Sequence, residues 1–199
     1  MFVLFESVFY FVVHIGSDDD CWSSDDNPTV EKAFSTQVQF SPKIAYGQDS
    51  CQVHLANPWR SEMQNGFGVF LAHEMDCSAT VTVSCLDRQD DSQAFQLNCH
   101  SNERDKQISC EQISLTFRRN LKTQEKKKLT TVQVVALAKG PCIDDDVLFK
   151  CPNAYNNSCI DEKLRCNGRS ECPNGGDERD CHSNEMKTTK EFICFCVLI

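Results

Sequence analysis

Tryptophan, tyrosine, glycine and cationic residues are all in short supply here. The 199-residue chain has two tryptophans, three tyrosines, eight glycines, and 20 lysines and arginines against 29 acids. The resulting formal charge of −9 argues against nucleic acid as a partner, because phosphate backbones are held by cations that displace counterions. No CxxC or HxxxH pair occurs, so the ligand knuckles of a cytosolic zinc protein are missing. No GxSxG, HExxH or Walker A pattern occurs either, which leaves the common nucleophilic, metallohydrolase and phosphate-binding devices without a carrier. Histidines 14, 54, 73, 100 and 182 are scattered; His54 and His73 lie in expected strands and read as structural. Asp87, Asp90 and Asp91 form an acidic loop, not a spaced acid and base. The chain is read as non-enzymatic.

Cysteine is what the sequence has in excess. Fourteen cysteines indicate disulfides and therefore an oxidising compartment, secreted or at the cell surface. Residues 2–15 are apolar apart from Glu6 and His14, and Asp18, Asp19 and Asp20 follow. The run is too short to span a bilayer and reads as a signal peptide over 1–17, with Gly16 and Ser17 offering the small residues of a cleavage point. A buried N-terminal strand or helix of the mature protein is the alternative. The one basic run, Arg118, Arg119, Lys122, Lys126, Lys127 and Lys128, reads as a solvated hairpin or loop, with a polyanion site as the alternative.

Cysteine spacing changes near residue 140, where Gly140-Pro141 breaks regular structure. This divides the chain into a domain over 21–140, a module over 141–181 and a tail over 182–199. In the first domain the runs 38–40, 51–55, 67–71, 79–85, 94–99, 113–117 and 130–138 are rich in β-branched or aromatic residues. In ATVTVSC, Val81, Val83 and Cys85 fall on one face, and Thr80, Thr82 and Ser84 on the other. Seven short strands separated by polar turns predict a mainly β fold, an antiparallel sandwich.

Six cysteines in this domain leave many connectivities open. Their order, with DSCQVHLANP, GVFLAHEMDCSATVTV and TTVQVVALAKGPC as strand signatures, resembles the CUB family of extracellular sandwiches. The pairing adopted is Cys21 with Cys51 and Cys77 with Cys99, which leaves Cys85 with Cys110. Glu74 matches that family's acid before the third cysteine. Ser78 and Ala79 stand where its calcium-binding members carry Tyr-Asp, so a metal is not expected in this domain.

The module reads CIDDDVLFKCPNAYNNSCIDEKLRCNGRSECPNGGDERDC. Phe149 and Ile160, with Leu148 and Val147, are nearly all its apolar content. So little oil cannot offset the ordering of forty residues, and cross-links with a bound cation must supply the rest. Asn167, Glu171, Asp177 and Glu178 would meet if the loops were tied together, and three carboxylates at one point call for a hard cation with oxygen ligands. The last three cysteine intervals, Phe149, Ile160 and the GDE triplet before the last cysteine resemble the LDL-receptor class A family, whereas the first two intervals are longer than that family's. That resemblance implies disulfides Cys142–Cys159, Cys151–Cys172 and Cys166–Cys181. It also implies one Ca²⁺ held by the side chains of Asn167, Glu171, Asp177 and Glu178 and by the backbone carbonyls of Leu164 and Arg169. The family favours Asp at the positions of Asn167 and Glu171. Members that capture basic ligands place an aromatic residue where Leu164 stands and clamp a lysine against it.

Asn156 begins an acceptor sequon for N-glycosylation. The tail ends FICFCVLI, readable as the start of a truncated membrane span or as an unstructured end; its last four residues also fit a prenylation signature. Cys194 and Cys196 are expected unpaired or intermolecular. The chain is thus expected to be an extracellular receptor, co-receptor or auxiliary protein, with a calcium-stabilised acidic module that binds a protein ligand bearing a basic patch and a possible membrane tether. The other reading is a truncated or soluble fragment of a multidomain receptor or of a serine protease carrying CUB and LDL-receptor class A modules.

Overall fold

The structure, a computed structural model, describes residues 10–15, 29–30, 33–41, 51–59, 66–71, 75, 77–87, 94–100, 105–119, 129–139, 142, 147–152 and 158–181. Cys21, Glu74, Asn156, His73, Asp90, Asp91, the lysines of the basic run, Cys194 and Cys196 lie outside them.

Among the described residues the chain is strand and loop, with two single-turn 3₁₀ helices at Glu162–Leu164 and Gly176–Glu178. The strands are β1 (Tyr10–Ile15), β2 (Thr29–Val30), β3 (Ser35–Phe40), β4 (Cys51–Ala56), β5 (Gly66–Leu71), β6 (Ala79–Cys85), β7 (Phe95–Leu97), β8 (Asp105–Ile108), β9 (Gln112–Arg119), β10 (Thr130–Lys139), β11 (Leu148–Lys150) and β12 (Ser158–Asp161). The seven runs expected as strands coincide with β3, β4, β5, β6, β7, β9 and β10. The fold is mainly β.

Two sheets face each other. The first runs β8-β5-β10-β3-β1 by hydrogen-bonded neighbours. The second runs β2-β4-β9-β6-β7. Period-two alternation sends Val38 and Phe40, Phe67 and Val69, and Val132, Val134 and Ala136 from the first sheet into one core. They meet Val53 and Leu55, Val81 and Val83, and Ile113, Leu115 and Phe117 from the second. Phe40 and Phe117 stack across the two sheets with ring centroids 4.7 Å apart. Cys77–Cys99 and Cys85–Cys110 tie the β6–β7 side of the second sheet. Cys51 is also disulfide-bonded.

β1 lies within the segment that reads as a leader. It pairs in parallel with β3 over six residues, Tyr10↔Ser35 to Ile15↔Phe40, and Ile15 joins the core. The strand and the leader are alternative uses of the same residues; cleavage after 17 would remove β1 and leave β3 at the sheet edge.

The join expected at Gly140-Pro141 directly follows β10, but β10 does not stop at it. Its last two residues pair with the module, Ala138↔Cys159 and Lys139↔Ser158, and β12 in turn pairs with β11. The outer face of the first sheet is covered as well. Val135 and Leu137 of β10, with Phe70 of β5, form a second apolar cluster with Cys151, Ile160, Leu164 and Cys172 of the module, flanked by Phe34 and Phe149. Residues 130–138 are therefore buried on both faces of the strand. The apolar content expected to leave the module without a core is completed by the sandwich.

Leu137 is fully buried on this outer face. Leu137→Ala is expected to destabilise the whole chain by about 2–5 kcal/mol, as deletion of a fully packed core side chain does, with one calorimetric transition. A loss below about 0.5 kcal/mol, the range of a surface change, would show that the module does not sit on β10.

Candidate metal centre

Covalent ties come first in the module. Cys142 bonds Cys159, Cys151 bonds Cys172, and Cys166 bonds Cys181. The last two bridges bracket the loop that starts at Asn167 and the turn that carries Asp177. Two glycines shape that turn. Gly175 caps the second 3₁₀ turn with φ at 64°, a left-handed conformation that suits glycine. A Cβ on Gly176 would stand 2.6 Å from Pro152 Cδ, so the turn closes against Pro152 only without a side chain. Upstream, the first 3₁₀ turn begins at Asp161, which accepts a hydrogen bond from the backbone N–H of Lys163 at 2.8 Å.

These loops bring three carboxylates together. One oxygen from each of Glu171, Asp177 and Glu178 lies within 4.8 Å of the others. Glu171 and Asp177 are both 0% exposed. The backbone orients the acids. Asp177 Oδ2 accepts from the N–H of Glu171 at 2.7 Å, and Oδ1 accepts from the N–H of Cys172 at 3.1 Å. Glu178 Oε1 accepts from the N–H of Asn167 at 2.9 Å, and Oε2 from the N–H of Gly168 at 3.0 Å. Each oxygen keeps a further lone pair.

Asn167 takes a different part from the one expected. Its Nδ2 donates to Glu171 Oε2 at 3.2 Å, and its Oδ1 accepts from the N–H of Arg169 at 2.8 Å. With the amide turned this way it is a donor to the cluster; as an oxygen ligand it would have to rotate. Leu164 ends the first 3₁₀ turn, and its side chain is buried in the cluster shared with the sandwich. Glu171 Oε1 accepts from Ser35 Oγ at 3.1 Å, and Ser35 Oγ accepts from Gln133 Nε2 at 2.7 Å. Nothing in the module's sequence pointed to these two residues of β3 and β10.

Burial governs the electrostatics. It pushes Glu171 up to about 8, helped by the charge of Asp177 and opposed by the hydrogen bonds from Asn167 and Ser35. It also raises Asp177, against the backbone donors of Glu171 and Cys172. Glu178 is raised for the same reason, and the N–H groups of Gly168 and Asn167 oppose the rise. Two buried acids and a half-buried third at one point favour a shared proton or a cation. The donor set is oxygen only, and the neighbouring sulfurs are in disulfides, so a hard divalent ion fits and a thiolate metal does not.

Two other groupings have ligand-type atoms in reach, Cys77, Cys99 and His100, and Cys85, Asp87 and Cys110. Their cysteines are bonded to each other. Asp87 accepts from the backbone N–H groups of Glu111 and Gln112, which makes it a loop clamp. His54 stands on β4 with its basicity lowered by burial.

No family model matches the chain, and no curated protein does. Among solved structures, a periplasmic inhibitor of g-type lysozyme from Aeromonas hydrophila, PliG, aligns over 64% of this chain and 96% of its own, with 8% identity and a TM-score of 0.30. A likeness at that level carries no inference about the site.

Without a cation, folded Glu171 holds its proton up to about pH 8, while the unfolded chain releases it near the ordinary value of 4.5. The folded state then binds more protons across that window, so stability falls as pH rises. Thermal unfolding of the oxidised chain in chelator is expected to give a melting temperature that declines between these two values. A flat or rising profile would contradict the buried, uncompensated cluster.

Proposed function

We propose that the chain is an extracellular, non-enzymatic binding protein: a CUB-like sandwich carrying an LDL-receptor class A module stabilised by one calcium ion. The observation that carries this reading is the convergence of Glu171, Asp177 and Glu178, two of them fully buried, on a point framed by the bridges Cys151–Cys172 and Cys166–Cys181. Calcium takes six to eight oxygen ligands in flexible geometry. The three carboxylates, the carbonyls of Leu164 and Arg169, and Asn167 after rotation of its amide would supply them. Magnesium, which retains water and demands a stricter octahedron, suits a dry and irregular cage less well.

Secretion is supported by the disulfides. None of the described helices is long and apolar enough to cross a membrane. The role is contact with a protein ligand, with a basic patch on that ligand as the expected complement to the chain's acidity. A lysine clamp built on Leu164 is not supported, since that side chain is 0% exposed. The sandwich offers the outer face of its second sheet, where Gln52, His54, Thr80, Thr82 and Thr116 are half-buried and polar, as a surface for such contact.

Calcium titration of the oxidised full chain by calorimetry is expected to show a single site, within the range of about 10⁻⁹ to 10⁻³ M spanned by protein oxygen cages. Asp177→Asn, which removes a buried charge between two backbone donors, is expected to abolish that heat. A silent titration of the wild-type protein with its disulfides intact would refute the calcium cage.

A further inference from the structure

The carboxylate cluster is turned toward the sandwich. Ser35 stands on β3, opposite Val135 of β10, and its hydroxyl donates to Glu171 across a sequence separation of 136 residues. Ser35 is 0% exposed and Gln133 is buried beside it. Gln133 donates to Ser35, which leaves the hydroxyl proton of Ser35 directed to Glu171. A second polar contact, Gln107 Nε2 to Ser158 Oγ at 2.6 Å, and the apolar cluster of Phe70, Val135, Leu137, Ile160 and Leu164 hold the module against the same sheet face.

We infer that Ser35 and Gln133 of the sandwich are positioning residues for the module's cation site, so that occupancy of the cage and seating of the module on the first sheet are one coupled event. The inference rests on the calcium reading above. Its physical basis is twofold. A ligating carboxylate is oriented by the donors that hold its other lone pairs, and such outer donors tune metal affinity. Here one of those donors belongs to a different part of the fold. A cation that fixes Glu171 also fixes the acceptor that Ser35 needs in a place with no water to replace it. By reciprocity, a seated module presents Glu171 already oriented to the cation.

The test uses the oxidised full chain, with calcium chloride as the probe, in wild type, Ser35→Ala, Ser35→Thr and Gln133→Leu. Two quantities are read: the calcium dissociation constant by calorimetry, and the rise in melting temperature between chelator and saturating calcium, which reports binding to the folded state. Ser35→Ala is expected to weaken calcium by about 10-fold and to shrink the calcium-dependent rise. Ser35→Thr, which keeps the hydroxyl, is expected to restore both. Gln133→Leu is expected to act in the direction of Ser35→Ala and by less. A merely structural role for Ser35 would lower the melting temperature equally with and without calcium, and that result overturns the inference. Equal calcium responses in wild type, Ser35→Ala and Gln133→Leu overturn it too, while leaving the cage itself standing. Absence of both heat and thermal shift in the wild type overturns the inference and the calcium reading together. Should Ser35→Ala not fold, Gln133→Leu carries the comparison, since it leaves Ser35 in place.

Discussion

Val135 and Leu137 point away from the sandwich interior and are nevertheless sealed from water. What seals them is the module, and most of the structure depends on that contact. A forty-residue segment with a few apolar side chains has no interior of its own. Placed against the outer face of the first sheet, Ile160 and Leu164 acquire Phe70, Val135 and Leu137 as partners, and the pairing of β10 with β12 extends the hydrogen-bonded ladder into the module. The disulfides then act on a segment already anchored along one side. Their part is to deny the unfolded chain its freedom; the choice of surface is made by the apolar contact.

Burial that solves the apolar problem creates an electrostatic one. The face pressed toward the sheet carries Glu171 and Asp177, which lose their hydration. Two features keep this tolerable. Backbone N–H groups hold both oxygens of Asp177 and both of Glu178, and Ser35 and Asn167 do the same for Glu171. These donors carry only partial charge, so the cluster is fully satisfied only with a proton or a metal ion in it. Hydrogen bonding fixes the geometry of the acids and leaves their charge to be neutralised.

The strands of the first domain were legible because β-branched and aromatic runs between polar turns have few other uses. β8 carries no strand signal, since DKQI is mostly polar and charged, as edge strands often are. β1 carries two readings, because a short apolar run serves equally as a leader or as a buried strand. In the module, the acids are close enough in sequence that Glu171, Asp177 and Glu178 could be grouped by inspection, and the structure groups them. The orientation of Asn167 could not be read, because an amide offers a donor and an acceptor of nearly equal size. The domain contact was encoded but unread. TTVQVVALA is apolar at Val135 and Leu137 as well as at Val132, Val134 and Ala136, and a strand that is apolar on both faces must be covered on both. Gly140-Pro141 drew attention to a break in the chain, whereas the strand before it announced a contact. Ser35 had no local signal at all, its partner being 136 residues away.

An inward-facing carboxylate cluster changes where the chain's acidity can act. Along 147–181 the acids are Asp161, Glu162, Glu171, Asp177, Glu178 and Asp180, and the cations are Lys150, Lys163, Arg165, Arg169 and Arg179. Glu171 and Asp177 are buried, Asp161 caps a turn, and Glu162 is paired with Arg165 at 3.4 Å. A divalent ion in the cage would cancel most of what remains. Among the described acids of this segment, Asp180 is exposed to solvent. Solvent screening makes such peripheral charges better at steering an encounter than at holding it. The carboxylates of the cluster are therefore spent on the interior of the fold, and a surface contact would have to draw on other residues.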